Sequence, residues 1–268
     1  MFPNLVSSPY LVFLSKVLVE AGKELLRLRD SGSIRVYSKS KLENNFNQEY
    51  TDHDTKVQDF VIQRIRNTYP DHNICSEELK SNDFKPKSTN WILDPIDGTI
   101  NYIRDFDRYS ISLAYWQNGS TKAAGVFAPY SNRLYLAEEG KGSFLNGKKL
   151  KCSRDTEKLS SIILSSGLKS FQHANEDSKF YKLLDHFQNT RIFSSSVLDI
   201  CDVASARCEA RVLADAKIWD LAAASLILKE SGGRVTNWQG VNDKYFSSAK
   251  IIASNGFIHA SLISLLND

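Results

Sequence analysis

The stretch from Trp91 to Asn101 constrains the fold more than any other part of this 268-residue chain. It reads Trp-Ile-Leu-Asp-Pro-Ile-Asp-Gly-Thr-Ile-Asn. The apolar start predicts a short buried strand, and we expect Pro95 to end strand pairing at Asp94 because proline has no amide hydrogen. Gly98 then lets the backbone turn. The stretch therefore predicts two carboxylates, Asp94 and Asp97, at the end of one strand.

The residues that follow are suited to binding an anion beside a cation. Carboxylate oxygens are preferred ligands of hard cations such as Mg²⁺. The backbone amides of Gly98 and Thr99, which would point outward from the turn, are suited to an anion. The alternative interpretation is a strand followed by an ordinary turn, because Asp-Pro and Asp-Gly are common turn dipeptides.

Three more acidic residues lie where predicted secondary structure begins or ends. Asp54 begins a helical pattern, Glu77 follows the short apolar run at residues 73–76, and Asp220 follows Trp219 at the start of an alanine-rich helix. Helix-start acids also have simpler roles, as caps or as partners of the helix dipole. We interpret His53, beside Asp54, as a surface residue.

Taken together, Asp-Pro-Ile-Asp-Gly-Thr and the downstream Trp219-Asp220 resemble the motifs of the inositol monophosphatase family. These are Mg²⁺-dependent, lithium-sensitive phosphatases, in a superfamily that includes the 3'(2'),5'-bisphosphate nucleotidases. The resemblance runs from about Pro9 to the C-terminus. It implies an α+β or α/β fold, a layered αβαβα sandwich of the inositol monophosphatase and fructose-1,6-bisphosphatase type, and a homodimer.

The resemblance also implies a metal site that holds two or three Mg²⁺ ions. Glu77, Asp94 and the carbonyl of Ile96 would bind one ion. Asp94, Asp97 and Asp220 would bind a second, so that Asp94 bridges the two. A further ion would lie near Glu77.

The catalytic and phosphate-binding residues are implied in the same way. Thr99 and Asp54 would orient and deprotonate the attacking water, with help from the ion near Glu77. The amides of Gly98 and Thr99 would bind the phosphate, and Asp97 also belongs to the substrate side.

The motifs constrain the substrate less than the metal site. Family members that act on inositol phosphates commonly have a Gly-Thr/Ser-Ala segment and a Glu where this chain has Ser194-Ser195-Ser196 and Leu213. We therefore place Ser195 and Ser196 on the substrate side, and Lys217 near a second phosphate or the polar body of the substrate.

Three interpretations of function remain open. The first is hydrolysis of a small soluble phosphate monoester of the inositol 1-phosphate type. The second is a 3'(2'),5'-bisphosphate nucleotidase that converts adenosine 3',5'-bisphosphate to AMP. Ser76-Glu77-Glu78 and Trp238-Gln239-Gly240 resemble segments of those enzymes, whereas Thr99-Ile100-Asn101-Tyr102 is closer to the inositol phosphatase pattern. A sugar bisphosphate or histidinol phosphate would suit the same metals. The third is a non-catalytic binding or regulatory protein on the same fold.

The composition argues against several other classes of protein. A net charge of +3, from 34 basic and 31 acidic residues, is too small to indicate a nucleic acid polymer or an anionic membrane as partner. The start of the chain lacks a secretory signal and no run is long enough to span a membrane, so we expect a cytoplasmic protein. The four scattered cysteines predict neither a zinc site nor disulfides.

The order of predicted elements divides the chain into two halves that pack as one body. Residues 1–155 would form an α+β half with an antiparallel meander and most metal ligands. Residues 156–268 would form an α/β half that supplies Asp220 and the substrate-side residues. Ser8-Pro9 predicts a helix start and Gly232-Gly233 a helix end. The polar segment from Ser38 to Tyr50 is expected to be an exposed loop and a lid.

Overall fold

The computed structural model describes residues 8–38, 49–79, 84–157, 161–174, 176–187, 189–242 and 247–268. These residues form eight helices: α1 (Pro9–Asp30), α2 (Asp52–Thr68), α3 (Thr99–Ile103), α4 (Leu168–His173), α5 (Asp177–His186), α6 (Ser196–Ala204), α7 (Ile218–Glu230) and α8 (His259–Asn267). They also form fourteen strands: β1 (Val36–Ser38), β2 (Glu49–Thr51), β3 (Asn73–Ser76), β4 (Asn90–Asp97), β5 (Ser110–Gln117), β6 (Ser120–Ala128), β7 (Arg133–Glu138), β8 (Gly142–Leu145), β9 (Lys148–Lys149), β10 (Ile162–Ser165), β11 (Asn189–Arg191), β12 (Ala210–Leu213), β13 (Arg234–Asn237) and β14 (Ile251–Ser254).

Two β-sheets alternate with three layers of helices. Helices α1 and α2 cover one face of a seven-stranded sheet, and α6 and α7 cover the other face. The same two helices pack against a five-stranded sheet, whose outer face is covered by α4, α5 and α8. This confirms the predicted αβαβα sandwich.

The alternation of side chains along β4 explains why both faces of the seven-stranded sheet are apolar. Trp91 and Leu93 point into the core shared with α1 and α2, whereas Ile92 points into the core shared with α6 and α7. A strand that is covered on both faces reads as a continuous apolar run, because successive side chains point to opposite sides.

The seven-stranded sheet has the order β3-β4-β5-β6-β7-β8-β9, and all its neighbours are antiparallel except β3 and β4. Strands β4 to β9 therefore form an antiparallel meander. The short strands β8 and β9 complete the sheet, and β9 ends at Lys149. The five-stranded sheet has the order β11-β10-β12-β14-β13.

The helix boundaries follow local capping. The side chain of Ser8 accepts a hydrogen bond from the Leu11 amide at 3.3 Å, and Pro9 is the first residue of α1, as predicted. At the end of α7, the amides of Gly232 and Gly233 each donate to a helix carbonyl at 3.0 Å, and Gly232 has a φ of 97°. This is a Schellman motif, in agreement with the predicted helix end.

The two predicted halves share one core. The seven-stranded sheet comes from residues 73–149 and the five-stranded sheet from residues 162–254, while α7 packs against both. Of the predicted loop, residues 39–48 lie outside the described residues. Its ends differ from the prediction, because Ser38 lies in β1 and Glu49 and Tyr50 lie in the paired strand β2. Within the described ranges, no helix is long and apolar enough to cross a membrane.

Candidate active site

A bulge in β4 brings Asp94 and Asp97 to the same side of the sheet. The expectation that Pro95 ends strand pairing at Asp94 is wrong, because β4 continues to Asp97. Asp94 pairs with Ser112 and Asp97 with Ser110, so three steps along β4 match two steps along β5. Without the extra residue, side chains three positions apart would point to opposite faces.

Asp220 reaches the same place from the other half of the chain. One carboxylate oxygen from each of Asp94, Asp97 and Asp220 lies within 4.8 Å of the others. Asp220 is the third residue of α7, and its Oδ2 accepts a hydrogen bond from the Lys217 amide at 2.6 Å. Capping the helix therefore fixes the side chain without excluding a second role, because the other oxygen remains available.

The electrostatics of this group fit a divalent cation. Burial raises the pKa of Asp94 well above its ordinary value, and the charges of Glu77, Asp97 and Asp220 raise it further. Burial raises the pKa of Asp220 in the same way, and Glu77 and Asp97 add repulsion. Oxygen donors alone, crowded together and mutually repelling, are the ligand set that suits Mg²⁺.

Two serine hydroxyls support Asp97. Its Oδ2 accepts hydrogen bonds from Ser195 and, at 3.3 Å, from Ser110. Burial raises the pKa of Asp97 to about 6, although these hydrogen bonds and one from the Val197 amide oppose the rise. Ser195 is buried and bonded to a carboxylate, while Ser196 is half-buried at the start of α6. No sequence signal marked Ser110, because its contact depends on the register between two strands.

Glu77 lies at the same edge of the sheet as Asp94. It follows β3, which runs parallel to β4 and pairs Ser76 with Leu93. The Glu77 amide donates to the Leu93 carbonyl at 3.3 Å. Its half-buried side chain is outside the tight group of three carboxylates found among the described residues, but its charge acts on Asp94.

Asp54 and Thr99 form the second part of the site. Asp54 closes a capping box at the start of α2, because its Oδ2 accepts the Thr51 amide at 2.7 Å and its own amide donates to the Thr51 hydroxyl. The helix thus begins at Asp52, two residues before the predicted start. The Thr99 hydroxyl lies 3.4 Å from Asp54 Oδ1 and 2.9 Å from the carbonyl oxygen of Ile96.

Burial determines the acidity of Asp54. Its side chain is buried, which raises its pKa to about 7, and the charges of Glu78 and Glu77 add to the rise. Hydrogen bonds from Thr51 act in the opposite direction. A carboxylate with a pKa near neutrality can accept a proton and release it at physiological pH.

The turn after Asp97 requires glycine. Gly98 has a φ of 84°, and a Cβ built there would lie 2.8 Å from the Arg108 carbonyl oxygen. The turn leads directly into α3, where Thr99 is the first residue.

Lys217 is exposed, and its backbone rather than its side chain is bonded to Asp220.

His53 is fully buried, so its interpretation as a surface residue is wrong. Its Nε2 lies 3.1 Å from the Ser33 carbonyl, which can only accept, so Nε2 carries the hydrogen and Nδ1 accepts from the Tyr102 hydroxyl at 2.7 Å. Burial lowers the pKa of His53. The pair joins the start of α2 to α3. A signal was present, because His53 lies four residues before Val57 on the apolar face of the helix.

Comparison with known proteins points to one family. A model of the Inositol monophosphatase family matches residues 7–268. A Thermotoga maritima protein named Fructose-1,6-bisphosphatase/inositol-1-monophosphatase is 35% identical over 219 residues, which cover 81% of this chain and 82% of that protein. A Putative Nus factor SuhB from Neisseria meningitidis serogroup A is 30% identical over 264 residues, covering 97% and 98%. The solved Thermotoga maritima IMPase has a TM-score of 0.85 at 32% identity and covers 97% of both chains.

Proposed function

Because the chain belongs to the inositol monophosphatase family, we propose that it is a phosphoric monoester hydrolase that uses Mg²⁺ to cleave a small soluble phosphate ester of the inositol 1-phosphate type. The observation that carries the proposal is the group formed by Asp94, Asp97 and Asp220, with oxygens within 4.8 Å of one another. The neighbouring pair of Asp54 and Thr99 completes a site with metal ligands on one side and a base on the other.

Metal binding in this proposal depends on residues from three segments. The charges of Glu77, Asp97 and Asp220 all act on Asp94, and the Ile96 carbonyl lies on the bulge between the two β4 acids. These groups would hold the two or three Mg²⁺ ions. Bound Mg²⁺ would neutralise the phosphate and make a water molecule easier to deprotonate.

Asp54 is the residue suited to take the proton of the attacking water. Its pKa of about 7 leaves a large fraction of the side chain ionised at neutral pH. The Thr99 hydroxyl lies between Asp54 and the Ile96 carbonyl, so it can fix the orientation of a water molecule beside them. Both capping-box hydrogen bonds hold Asp54 in place while it does so.

The turn at Gly98 is suited to the phosphate group. The amides of Gly98 and Thr99 lie at the start of α3, and Asp97 lies directly before them. Ser195 reaches this region through its hydrogen bond to Asp97, whereas Ser196 would contact the remainder of the substrate. A negative phosphate beside three carboxylates is tolerated only when cations lie between them, which links substrate binding to metal binding.

An alternative substrate is a bisphosphate such as adenosine 3',5'-bisphosphate or a sugar bisphosphate. Leu213 lies where inositol-specific members carry Glu, and it is buried in the core rather than presented to a substrate. The Thermotoga maritima relative carries fructose-1,6-bisphosphatase in its name. Lys217, exposed beside Asp220, is the side chain that we assign to a second phosphate.

Phosphate release tests the proposal and ranks its substrates. Inositol 1-phosphate and adenosine 3',5'-bisphosphate are compared at equal concentration with Mg²⁺, each with and without lithium. We expect Mg²⁺-dependent release that is faster with inositol 1-phosphate and is inhibited by lithium. Faster release from adenosine 3',5'-bisphosphate would favour the nucleotidase, and no release from either substrate or from fructose 1,6-bisphosphate would contradict the proposal.

A non-catalytic binding or regulatory role is the second candidate, because one relative carries the name Putative Nus factor SuhB. A chain that had lost catalysis would be expected to lose at least one of the acids, yet Asp54, Asp94, Asp97 and Asp220 are all present and grouped.

We further propose that the protein is a cytoplasmic homodimer. Light scattering of the purified protein tests that state, and a monomeric mass would contradict it.

A further inference from the structure

The side chain of Asn101 joins three separate segments beside the candidate active site. It lies on α3, is 8% exposed, and its Nδ2 is 2.8 Å from the carbonyl oxygens of both Arg108 and Phe193. The Ser194 carbonyl oxygen lies 3.4 Å from the same nitrogen. An amide nitrogen has two hydrogens, so both short contacts are satisfied donations to backbone. Asn101 therefore fixes two loops that are distant in sequence.

One of these loops contains a backbone conformation that needs support. Ser194 has a φ of 55°, in the left-handed region that is unfavourable for a residue with a Cβ. The next residue, Ser195, precedes α6 and donates its hydroxyl hydrogen to Asp97 Oδ2. The conformation of Ser194 thus determines whether Ser195 reaches the carboxylate.

The same segments meet around Gly98. A Cβ built at Gly98 would lie 2.8 Å from the Arg108 carbonyl oxygen, 3.3 Å from Ser195 Cβ and 3.4 Å from the Ser194 carbonyl oxygen. A shift of either loop would therefore change the walls of the phosphate turn directly.

The side chain of Arg108 joins the two loops by a second route. Its guanidinium lies 4.3 Å from the centroid of the Phe193 ring and 2.8 Å from Asp202 of α6. The ion pair holds the body of α6, and the ring contact reaches the side chain of Phe193 rather than the backbone of the turn. Among the described residues, the side-chain hydrogen bond that reaches the Phe193 carbonyl comes from Asn101, and the same nitrogen lies 3.4 Å from the Ser194 carbonyl oxygen.

We infer that Asn101 is a positioning residue of the active site: it holds the left-handed turn at Ser194, so that Ser195 stays bonded to Asp97. The consequence for catalysis depends on the proposed phosphatase function, whereas the positioning itself does not. The inference is therefore tested first without metal or substrate.

Amide hydrogen exchange in the metal-free protein measures the positioning. Asn101→Ala should raise exchange across residues 193–197 about tenfold, because the turn loses its side-chain donors. Asn255→Ala is the matched control: Asn255 is also buried and its Nδ2 donates to the Asp155 carbonyl at 2.9 Å, but it lies away from this turn. Unchanged exchange at 193–197 in Asn101→Ala, or an equal rise there in Asn255→Ala, would overturn the inference.

A second variant separates positioning from general stability. Glycine adopts positive φ without a steric penalty, so Ser194→Gly should restore part of the exchange protection that Asn101→Ala loses. No restoration would contradict the proposed support of the left-handed turn. If Asn101→Ala does not fold, Asn101→Ser, which keeps one donor, replaces it, and a smaller rise of about threefold is expected; no rise would overturn the inference.

Activity is measured last. Asn101→Ala should lower kcat at least tenfold at saturating Mg²⁺, and Ser194→Gly in the same chain should recover part of it. If Asn101→Ala alters the exchange pattern but the wild-type protein releases no phosphate, the proposed function is rejected and the positioning role stands. If Asn101→Ala leaves exchange unaltered and the wild-type protein is fully active, the positioning role is rejected and the proposed function stands.

Discussion

Asp54→Asn replaces a buried carboxylate by an amide of the same shape, and we expect it to stabilise the metal-free protein while it abolishes phosphate release. The Asn carbonyl can accept the Thr51 amide as the carboxylate does at 2.7 Å, and the new NH₂ would face the Thr99 hydroxyl, 3.4 Å from Asp54 Oδ1. The helix cap is therefore retained and only the charge is lost.

The pKa of Asp54 gives the magnitude and its dependence on pH. The pKa is about 7 in the folded protein and ordinarily 3.8, so above pH 7 the ionised side chain destabilises the fold by roughly 4 kcal/mol. A raised acid pKa means that stability is regained as the pH falls from about 7 toward 3.8. The free energy of unfolding of Asp54→Asn should thus exceed that of the wild type by about 4 kcal/mol at pH 8 and by about 2 kcal/mol at pH 5.

Denaturant unfolding in the presence of a chelator, at pH 8 and pH 5, measures this difference. The other site carboxylates are present in both proteins, and Asp54 is the weakest of the charges that act on Asp94, so their effect largely cancels in the comparison. Asp59→Asn, at an exposed acid on the same helix, is the control and should change the free energy of unfolding by less than about 0.5 kcal/mol. A difference between Asp54→Asn and wild type that does not vary with pH, or that favours wild type at pH 8, would refute the reasoning.

Three further predictions concern other parts of the site. Gly98→Ala should lower the free energy of unfolding by about 2 kcal/mol or more, because of the positive φ and the contact with the Arg108 carbonyl, and an equally stable variant in denaturant would count against this. Mg²⁺ at a hundred times its Kd should stabilise the wild type by about 2.7 kcal/mol in thermal unfolding. Asp94→Asn should lose that gain, so an equal rise in Tm would contradict the metal assignment. Lys217→Ala should raise KM more for a bisphosphate than for a monophosphate, and equal changes would argue against its contact with a second phosphate.

The sequence predicted the layers through the resemblance of its motifs to a known family, and it predicted from the residues themselves that three acids lie at element ends. Apolar runs followed at once by carboxylates indicated that Asp94, Asp97 and Asp220 lie at element ends, and the structure groups them. The capping signals at Ser8-Pro9 and Gly232-Gly233 were also sufficient, because a cap depends on residues within one turn of helix.

The remaining features depend on contacts between distant segments. The sequence around Pro95 predicts the end of a strand, but the pairing of β4 with β5 places Pro95 at a bulge. That register cannot be predicted from the sequence of either strand alone. The bond from Ser195 to Asp97 spans 98 positions, and the donation from Asn101 to the Phe193 carbonyl spans 92. Such contacts require the assembled sandwich.

The most direct test of the account is phosphate release by wild type and by Asp94→Asn, at saturating Mg²⁺ and with inositol 1-phosphate as substrate. The account predicts Mg²⁺-dependent release by the wild type and essentially none by the variant. The variant should remain folded, because burial and neighbouring charges already raise the pKa of the Asp94 carboxyl group and the substitution removes that unfavourable charge. Near-normal release by Asp94→Asn would contradict it.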